Sequence, residues 1–421
     1  MKNETIIKVI DAPMGSGKTS WAIDYINKPF RQNNNFMYVT PLLSETKRIK
    51  EKCAKSKGGF YLPEAKYKKE NGTNNKTNGL YSLINNDEDI ATTHNLLLNI
   101  TNEHRQLIKR KNYTLFLDEV IQPIESFQLK KKNDIKYLEE KQSIKIYSNG
   151  RIEWIEDINN IQYDDFRILC NNRCLYAFKD NSNNSYSVIS VLPPELFTCF
   201  SEIYILTYNF KNSILYHYFK AHNINFELCT LSSNKEVIPY QTPDTRQYRK
   251  LIKLYDNVSV GGYKNDLVKQ KENSALSKSW FYASYNKNKV ITLKNSIYNF
   301  LHNLCKANSN NIMWTTFKNE KKRLQRNGYS SKKCFCPCNC VATNEYGNRH
   351  YLVYGLNYFP TPMIRRYFER IGYILPSSFE SGMALNTLLQ WVFRSAIRNN
   401  EKIHLYLPSN RMYNLMKEWL E

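Results

Sequence analysis

The stretch Thr5-Ile6-Ile7-Lys8-Val9-Ile10, followed by Ala12-Pro13-Met14-Gly15-Ser16-Gly17-Lys18-Thr19, decides how the first half of the chain folds. The apolar run reads as a buried strand, and Trp21, Ala22, Tyr25 and Ile26 then recur at helical spacing. A glycine-rich turn between a strand and a helix lets backbone N–H groups close around phosphate oxygens. The helix dipole favours the same negative charge. Gly15, Ser16 and Gly17 would form the cradle, Lys18 would reach the β- and γ-phosphates, and Thr19 would ligate Mg²⁺. The loop opens with Ala12 where the strict phosphate-loop pattern has glycine.

Working outward, short apolar runs at 36–39, 89–93, 113–117 and 203–207 alternate with helical stretches such as 42–52. That alternation predicts an α/β fold with a parallel sheet. The run at 113–117 ends in Asp118-Glu119, and parallel strands present ligands at their C-terminal ends. Asp118 is placed to hold Mg²⁺, and Glu119 to orient and deprotonate an attacking water. Residues 127–190 read as a partly β insertion, rich in Lys, Asn, Asp and Tyr. The expected organisation is a first domain over 1–229, a polar boundary over 230–275 and a second α/β domain over 276–421. In the second domain, strands are expected at 290–293, 312–314, 351–354 and 403–407, and a helix over 386–398. Gln390, Arg394 and Arg398 would share one face of that helix and present arginines to a γ-phosphate.

Composition narrows the partners. The 421 residues carry 60 Lys and Arg against 38 Asp and Glu, a net charge of +22, which suits a polyanion. The stretch 318–333 is strongly basic and includes Lys321, Lys322 and Arg323; it reads as a phosphate-tracking surface or as a merely solvated helix. After residue 257 the single aspartate is Asp266, too few carboxylates for a metal-dependent nuclease and so against a DNA-packaging ATPase. No run of apolar residues is long enough to span a membrane, and the N-terminus lacks a secretory core, so a cytoplasmic location is expected. Cys334, Cys336, Cys338 and Cys340 alternate. On a strand they would line one face, which suits buried thiols better than one tetrahedral zinc ion.

Together these segments resemble the superfamily 2 helicases, the DExD/H-type motor ATPases. Their wording is similar to helicase-like ATPases of bacteriophage genomes. The stretch 12–19 matches the family's AxxGxGKT loop, and Asp118-Glu119-Val120-Ile121 matches its DExx box. Gln390, Arg394 and Arg398 resemble motif VI, although the second arginine falls one residue late. Weaker echoes are Thr40-Pro41, Thr93-His94, Thr315-Thr316 and Thr343-Asn344. The resemblance implies two RecA-like P-loop domains in tandem, with ATP and Mg²⁺ as cofactors. It makes Glu119, Gln390, Arg394 and Arg398 catalytic, and assigns nucleic-acid contacts to Thr40, Pro41, Thr93, His94, Thr315, Thr316, Thr343 and Asn344. It favours single-stranded DNA over RNA, with replication proteins as further partners. The alternative is an ATP-switched nucleic-acid-binding protein, a replication loader or origin binder, without motor activity.

Overall fold

The computed structural model describes residues 5–28, 34–53, 59–68, 73–127, 134–155, 163–171, 174–179, 186–256, 273–339 and 345–421. The chain divides into two compact units, Met1–Gln241 with Thr361–Pro376, and Thr242–Pro360 with Ser377–Glu421. The division after Gln241 falls inside the expected boundary stretch, while the return of 361–376 to the first unit has no sequence signal.

Unit 1 is built on seven strands: β1 (Ile6–Asp11), β2 (Asn35–Thr40), β3 (Ile90–Thr93), β4 (Tyr113–Asp118), β5 (Glu202–Thr207), β6 (Glu227–Leu231) and β7 (Val237–Pro239). Their order is β7-β6-β1-β5-β4-β2-β3, parallel except for β7. The helices between them are α1 (Lys18–Ile26), α2 (Leu43–Lys52), α3 (Lys76–Asn85), α4 (His94–Leu98), α5 (Asn102–Arg110) and α6 (Ile214–Ala221). All six residues of β2 are buried, as a sheet covered on both faces requires. Tyr204, Phe116 and Tyr38 are register partners on β5, β4 and β2, and their rings stack at 5.1 Å and 6.0 Å. Trp21 and Tyr25 of α1 pack against this row, and the Tyr25 and Tyr204 hydroxyls are 2.8 Å apart. Aromatic packing thus seats the helix that follows the glycine-rich turn.

Between β4 and β5 lies the expected insertion. Strands Ile124–Phe127, Leu175–Lys179 and Tyr186–Val191 form a small antiparallel sheet, and Ile144–Ile146 pairs with Ile152–Trp154. The insertion has its own apolar cluster, which includes Ile135, Leu138, Trp154, Phe166 and Val188.

Unit 2 holds a four-stranded parallel sheet of β8 (Ile252–Tyr255), β9 (Ile312–Thr315), β10 (Tyr351–Tyr354) and β11 (Ile403–Tyr406), in the order β8-β11-β10-β9. Its helices include α7 (Lys287–Tyr298), α8 (Lys321–Leu324), α9 (Phe379–Val392) and α10 (Asn410–Leu420). Trp314 is fully buried and donates its indole N–H to Tyr329 O at 2.9 Å; Trp391 does the same to Cys336 O at 3.0 Å.

Three expectations in this half are corrected. Residues 290–293 are helical, not a strand: within α7 the buried positions are Val290, Leu293, Ser296 and Ile297, a helical spacing that a four-residue apolar run conceals. The helix expected to reach Arg398 ends at Val392. Ser395 Oγ donates to Val392 O at 2.7 Å, and Ala396 N is drawn to Arg349 O at 3.1 Å, so the backbone leaves the helical path before the second arginine. Cys334 to Cys338 do not form a strand; Lys332–Cys334 is a 3₁₀ turn, and Pro337 cannot donate to a ladder.

Gly79 sits inside α3, where alanine normally adds stability. A Cβ there would lie 1.8 Å from the backbone oxygen of Glu64. Gly79→Ala is therefore expected to destabilise the protein by about 1–3 kcal/mol, the range for overpacking. Urea unfolding of the full chain checks it; a gain in stability would show that the segment around Glu64 does not hold α3 closely.

Candidate functional site

β1 ends at Asp11, and the chain turns through residues 12–17 into α1. Gly15 has φ 83° and Gly17 φ 87°, a region that side chains with a Cβ avoid. Gly17 is the N-cap of α1, and no side chain caps the helix there. The first N–H groups of α1 therefore face the loop without a side-chain acceptor from the cap. Ser16 Oγ is buried with no hydrogen-bond partner. Lys18 Nζ donates to Ala12 O at 2.6 Å and Pro13 O at 2.9 Å, so the ammonium is held inside the turn. Burial pulls its pKa down to about 8, against the opposing pull of Asp118, Glu119 and Asp11. The stem of Lys235, at the tip of the β6–β7 hairpin, lies beside Gly17: a Cβ on that glycine would be 3.4 Å from Lys235 Cε.

The carboxylates come from the next strand but one. Leu206 of β5 pairs with both Asp118 of β4 and Ile10 of β1, so Asp118 reaches the same edge as the loop. Asp118 Oδ2 accepts from Thr19 Oγ1 at 3.4 Å and from Tyr38 OH at 3.2 Å. His94 Nε2 lies 2.9 Å from Asp118 O. Burial, reinforced by Glu119, raises the Asp118 pKa to about 6. Glu119 has φ 65°, and its N–H bonds Leu206 O at 2.9 Å. This left-handed turn, unusual for a residue with a Cβ, takes the chain out of the strand immediately after Asp118. Asp11 is buried and accepts from the backbone N–H of Asn209 at 2.7 Å and Phe210 at 2.8 Å, which ties the end of β5 to the start of the loop.

Gly15, Ser16, Gly17, Lys18, Thr19, Asp118 and Glu119 thus converge as expected from their spacing. Thr40 and Thr93 are register partners at the ends of β2 and β3, with Pro41 and His94 following them. Burial lowers the His94 pKa to about 4, so the ring is neutral near pH 7 with its Nε2 set against Asp118 O. Two expected nucleic-acid contacts are corrected: Thr315 and Thr316 are fully buried, and Thr316 Oγ1 donates to Gly355 O at 3.0 Å. The basic stretch is partly consumed internally. Lys321 Nζ sits 4.3 Å from the Phe335 ring centre, Arg323 pairs with Glu320 at 2.6 Å and bonds Phe281 O, and Lys322 remains exposed. Thr343, Asn344 and Cys340 lie outside the described residues. Gln390 lies on α9, Arg394 is buried beyond its end, and Arg398 is exposed on a 3₁₀ turn, so the three do not share a helix face. Cys334 and Cys336 are buried, and among the described residues no group of three or more His, Cys, Asp or Glu could hold a metal ion.

Tyr38, Asp11 and Lys235 are missed by the sequence reading. Asp11 immediately precedes the loop and could have been singled out. Tyr38 and Lys235 become neighbours of the site only through strand register and the hairpin.

A carboxyl whose pKa is raised from its unfolded value favours the fold when protonated. Its charge therefore lowers stability as pH climbs through about 6, the direction opposite to an ion-paired carboxylate. Asp118→Asn is expected to raise the melting temperature by a few degrees at pH 8, and by less at pH 5. Thermal unfolding of both proteins at the two pH values checks this; an equal effect at both would remove the buried-charge account.

Residues 246–420 match the family described as the YonV C-terminal Rossmann-like domain. This stretch contains all four strands of the parallel sheet of unit 2. The chain is also 35% identical, over 423 aligned residues, to the SPbeta prophage-derived protein YonV of Bacillus subtilis (strain 168), covering 99% of this chain and 98% of that one. No helicase or phosphate-loop family is among the matches. These matches overturn the resemblance to superfamily 2 helicases. The motif VI-like arginines fall in the Rossmann-like domain of a different family, on backbone that is no longer helical after Val392. Among the described residues no helix is long and apolar enough to cross a membrane. Matched along nearly its whole length to a prophage protein, and over unit 2 to the domain named for it, the chain belongs to the YonV family.

Proposed function

We propose that unit 1 binds a nucleoside triphosphate, ATP with Mg²⁺, and hydrolyses it, and that the protein couples this to nucleic acid. The observation that carries the reading is the meeting of the glycine turn with Lys18 and Thr19 at the carboxylates of Asp118 and Glu119, with Thr19 Oγ1 and Asp118 Oδ2 3.4 Å apart. Phosphate oxygens suit the uncapped start of α1 and the orphaned Ser16 hydroxyl. The strand order of unit 1, with β5 between the loop strand and the carboxylate strand, supports a RecA-like fold for this unit.

In this reading, the hydroxyl of Thr19 and the carboxylate of Asp118 form the hard oxygen donor set that Mg²⁺ prefers. Held there, Mg²⁺ would supply charge neutralisation to the phosphates. Lys18 exchanges the carbonyls of Ala12 and Pro13 for phosphate oxygens and offsets charge on the departing diphosphate. Glu119 accepts a proton from water as its oxygen attacks the γ-phosphorus and the bond to the β–γ bridging oxygen breaks. Tyr38 and His94 act through Asp118, one on its carboxylate and one on its carbonyl. The net charge of +22 supports nucleic acid as the partner, with DNA the first choice for a relative of a prophage protein.

Lys18→Ala is expected to weaken nucleotide binding and cut turnover by about 10²–10³-fold, as for loss of one charge-stabilising donor. Glu119→Gln is expected to keep affinity within several-fold while turnover falls by about 10²–10⁴, the range of a general base. Phosphate release and nucleotide titration, each with and without single-stranded DNA, measure both. Wild-type turnover by Glu119→Gln would sink the assignment of the base. Turnover indifferent to nucleic acid at low salt would remove the coupling while leaving the hydrolase.

A further inference from the structure

Away from the glycine turn, among α5, the insertion, the segment before β5 and the turn after α6, unit 1 contains a cavity of about 510 Å³. Six of its lining residues matter: Arg105 from α5, Arg151 and Tyr176 from the insertion, Glu195 before β5, His222 after α6, and Tyr367 from the helix Pro362–Arg370. A second cavity of about 280 Å³ shares Glu195 and His222 with it and runs along Thr5 and Ile7. A space of this size is in the range that holds a small organic molecule.

Arg105 is the feature that asks for an explanation. It is 8% exposed, its Nε is buried without a partner, and its Nη1 reaches Ile100 O only at 3.4 Å. Among the described residues no carboxylate pairs with it within 4.0 Å. Its charge is felt by the thiols of Cys174 and Cys199, but burial raises these to about 11 and about 12, so both are neutral near pH 7. A guanidinium nine-tenths buried, with one N–H unpartnered and no carboxylate in contact, is costly. A second guanidinium lines the same space: Arg151 lies 4.4 Å from the Tyr147 ring centre, and its charge opposes the burial that raises the Tyr176 phenol. Two guanidinium groups around one cavity form the usual receptor for a phosphate. The remaining walls suit the rest of a molecule. Tyr176 and Tyr367 present rings set edge to face at 5.2 Å, and Glu195 is an exposed acceptor for hydroxyl or amide donors. His222 is held at 3.0 Å from the Tyr367 hydroxyl, and burial lowers its pKa.

We infer that this cavity is a second ligand site of unit 1, distinct from the glycine turn, which takes a small phosphomonoester carrying hydroxyl or base donors, with Arg105 as its buried counter-charge. The site does not depend on the proposed hydrolase, because no residue of the glycine turn and neither Asp118 nor Glu119 lines it.

The test uses the full chain carrying Lys18→Ala, which disables the phosphate loop, so that a response belongs to the second site. Melting temperature is followed at constant ionic strength against inorganic phosphate, ribose 5-phosphate and AMP. The expected result is a saturable rise of a few degrees by about 10 mM, following the linkage of ligand binding to stability. It is expected to vanish when either Arg105→Met or Arg151→Gln is added. Arg105→Met is also expected to melt higher than its parent without ligand, since a buried unpaired charge is removed; a purely structural arginine would do the reverse. If Arg105→Met fails to fold, Arg151→Gln carries the test. A steeper response to ribose 5-phosphate or AMP than to inorganic phosphate shows that the organic part is read as well. No saturable response to any probe, or a response unchanged by Arg151→Gln, overturns the proposal.

Discussion

The register of β1, β5, β4 and β2 is the constraint on which the rest of unit 1 depends. Side by side and parallel, these strands end together, so Asp11, Thr207, Asp118 and Thr40 stand along one edge. A shift of one residue in β4 would send Asp118 to the opposite face and Phe116 out of the aromatic row. That row of Tyr204, Phe116 and Tyr38 is also the floor on which Trp21 and Tyr25 rest, so the same register that aligns the carboxylates seats α1 and its glycine turn. Packing and polar geometry at this edge are therefore one problem with one solution.

The electrostatics of the edge run against stability. One ammonium, Lys18, is embedded among Asp11, Asp118 and Glu119, and burial pushes the lysine down and both aspartates up. Asp11 recovers part of the cost through two backbone N–H donors, which also hold the turn after β5. Asp118 recovers less, from the Tyr38 and Thr19 hydroxyls. Groups kept in this state are of use to chemistry that needs concentrated charge, which is how the proposed hydrolysis employs them.

The matches to YonV change the meaning of the C-terminal half more than that of the N-terminal half. Unit 2 is a Rossmann-like domain with its own parallel sheet, and several of its basic and hydroxyl side chains have internal duties. Arg349 bonds the carbonyls of Ser309 and Lys333, Arg323 pairs with Glu320, and Thr316 braces Gly355. Spacing that imitates a motif can arise from such local bracing, because arginine and threonine are also the side chains that satisfy stray carbonyls.

What the sequence determined by itself is local in origin. The turn at 12–19 was legible because glycine, lysine and threonine at fixed offsets between an apolar run and a helical one leave the backbone few alternatives. The strands at 113–117 and 203–207 and the β character of the insertion were legible for the same reason. The tertiary structure alone decided the rest. Tyr38 meets Asp118, and Arg105 meets an unpaired cavity, across many residues of chain that no periodicity reports. The four apolar residues at 290–293 fit a strand as well as a helix until their neighbours Ser296 and Ile297 are seen to be buried on the same side. The helix bearing Gln390 stops at Val392 because Ser395 and the carbonyl of Arg349 compete for its backbone, a contest between segments more than forty residues apart. Local composition sets which conformations are cheap. Which of them is adopted, and which charges end up facing one another, depends on burial and register that exist only once the sheet is assembled.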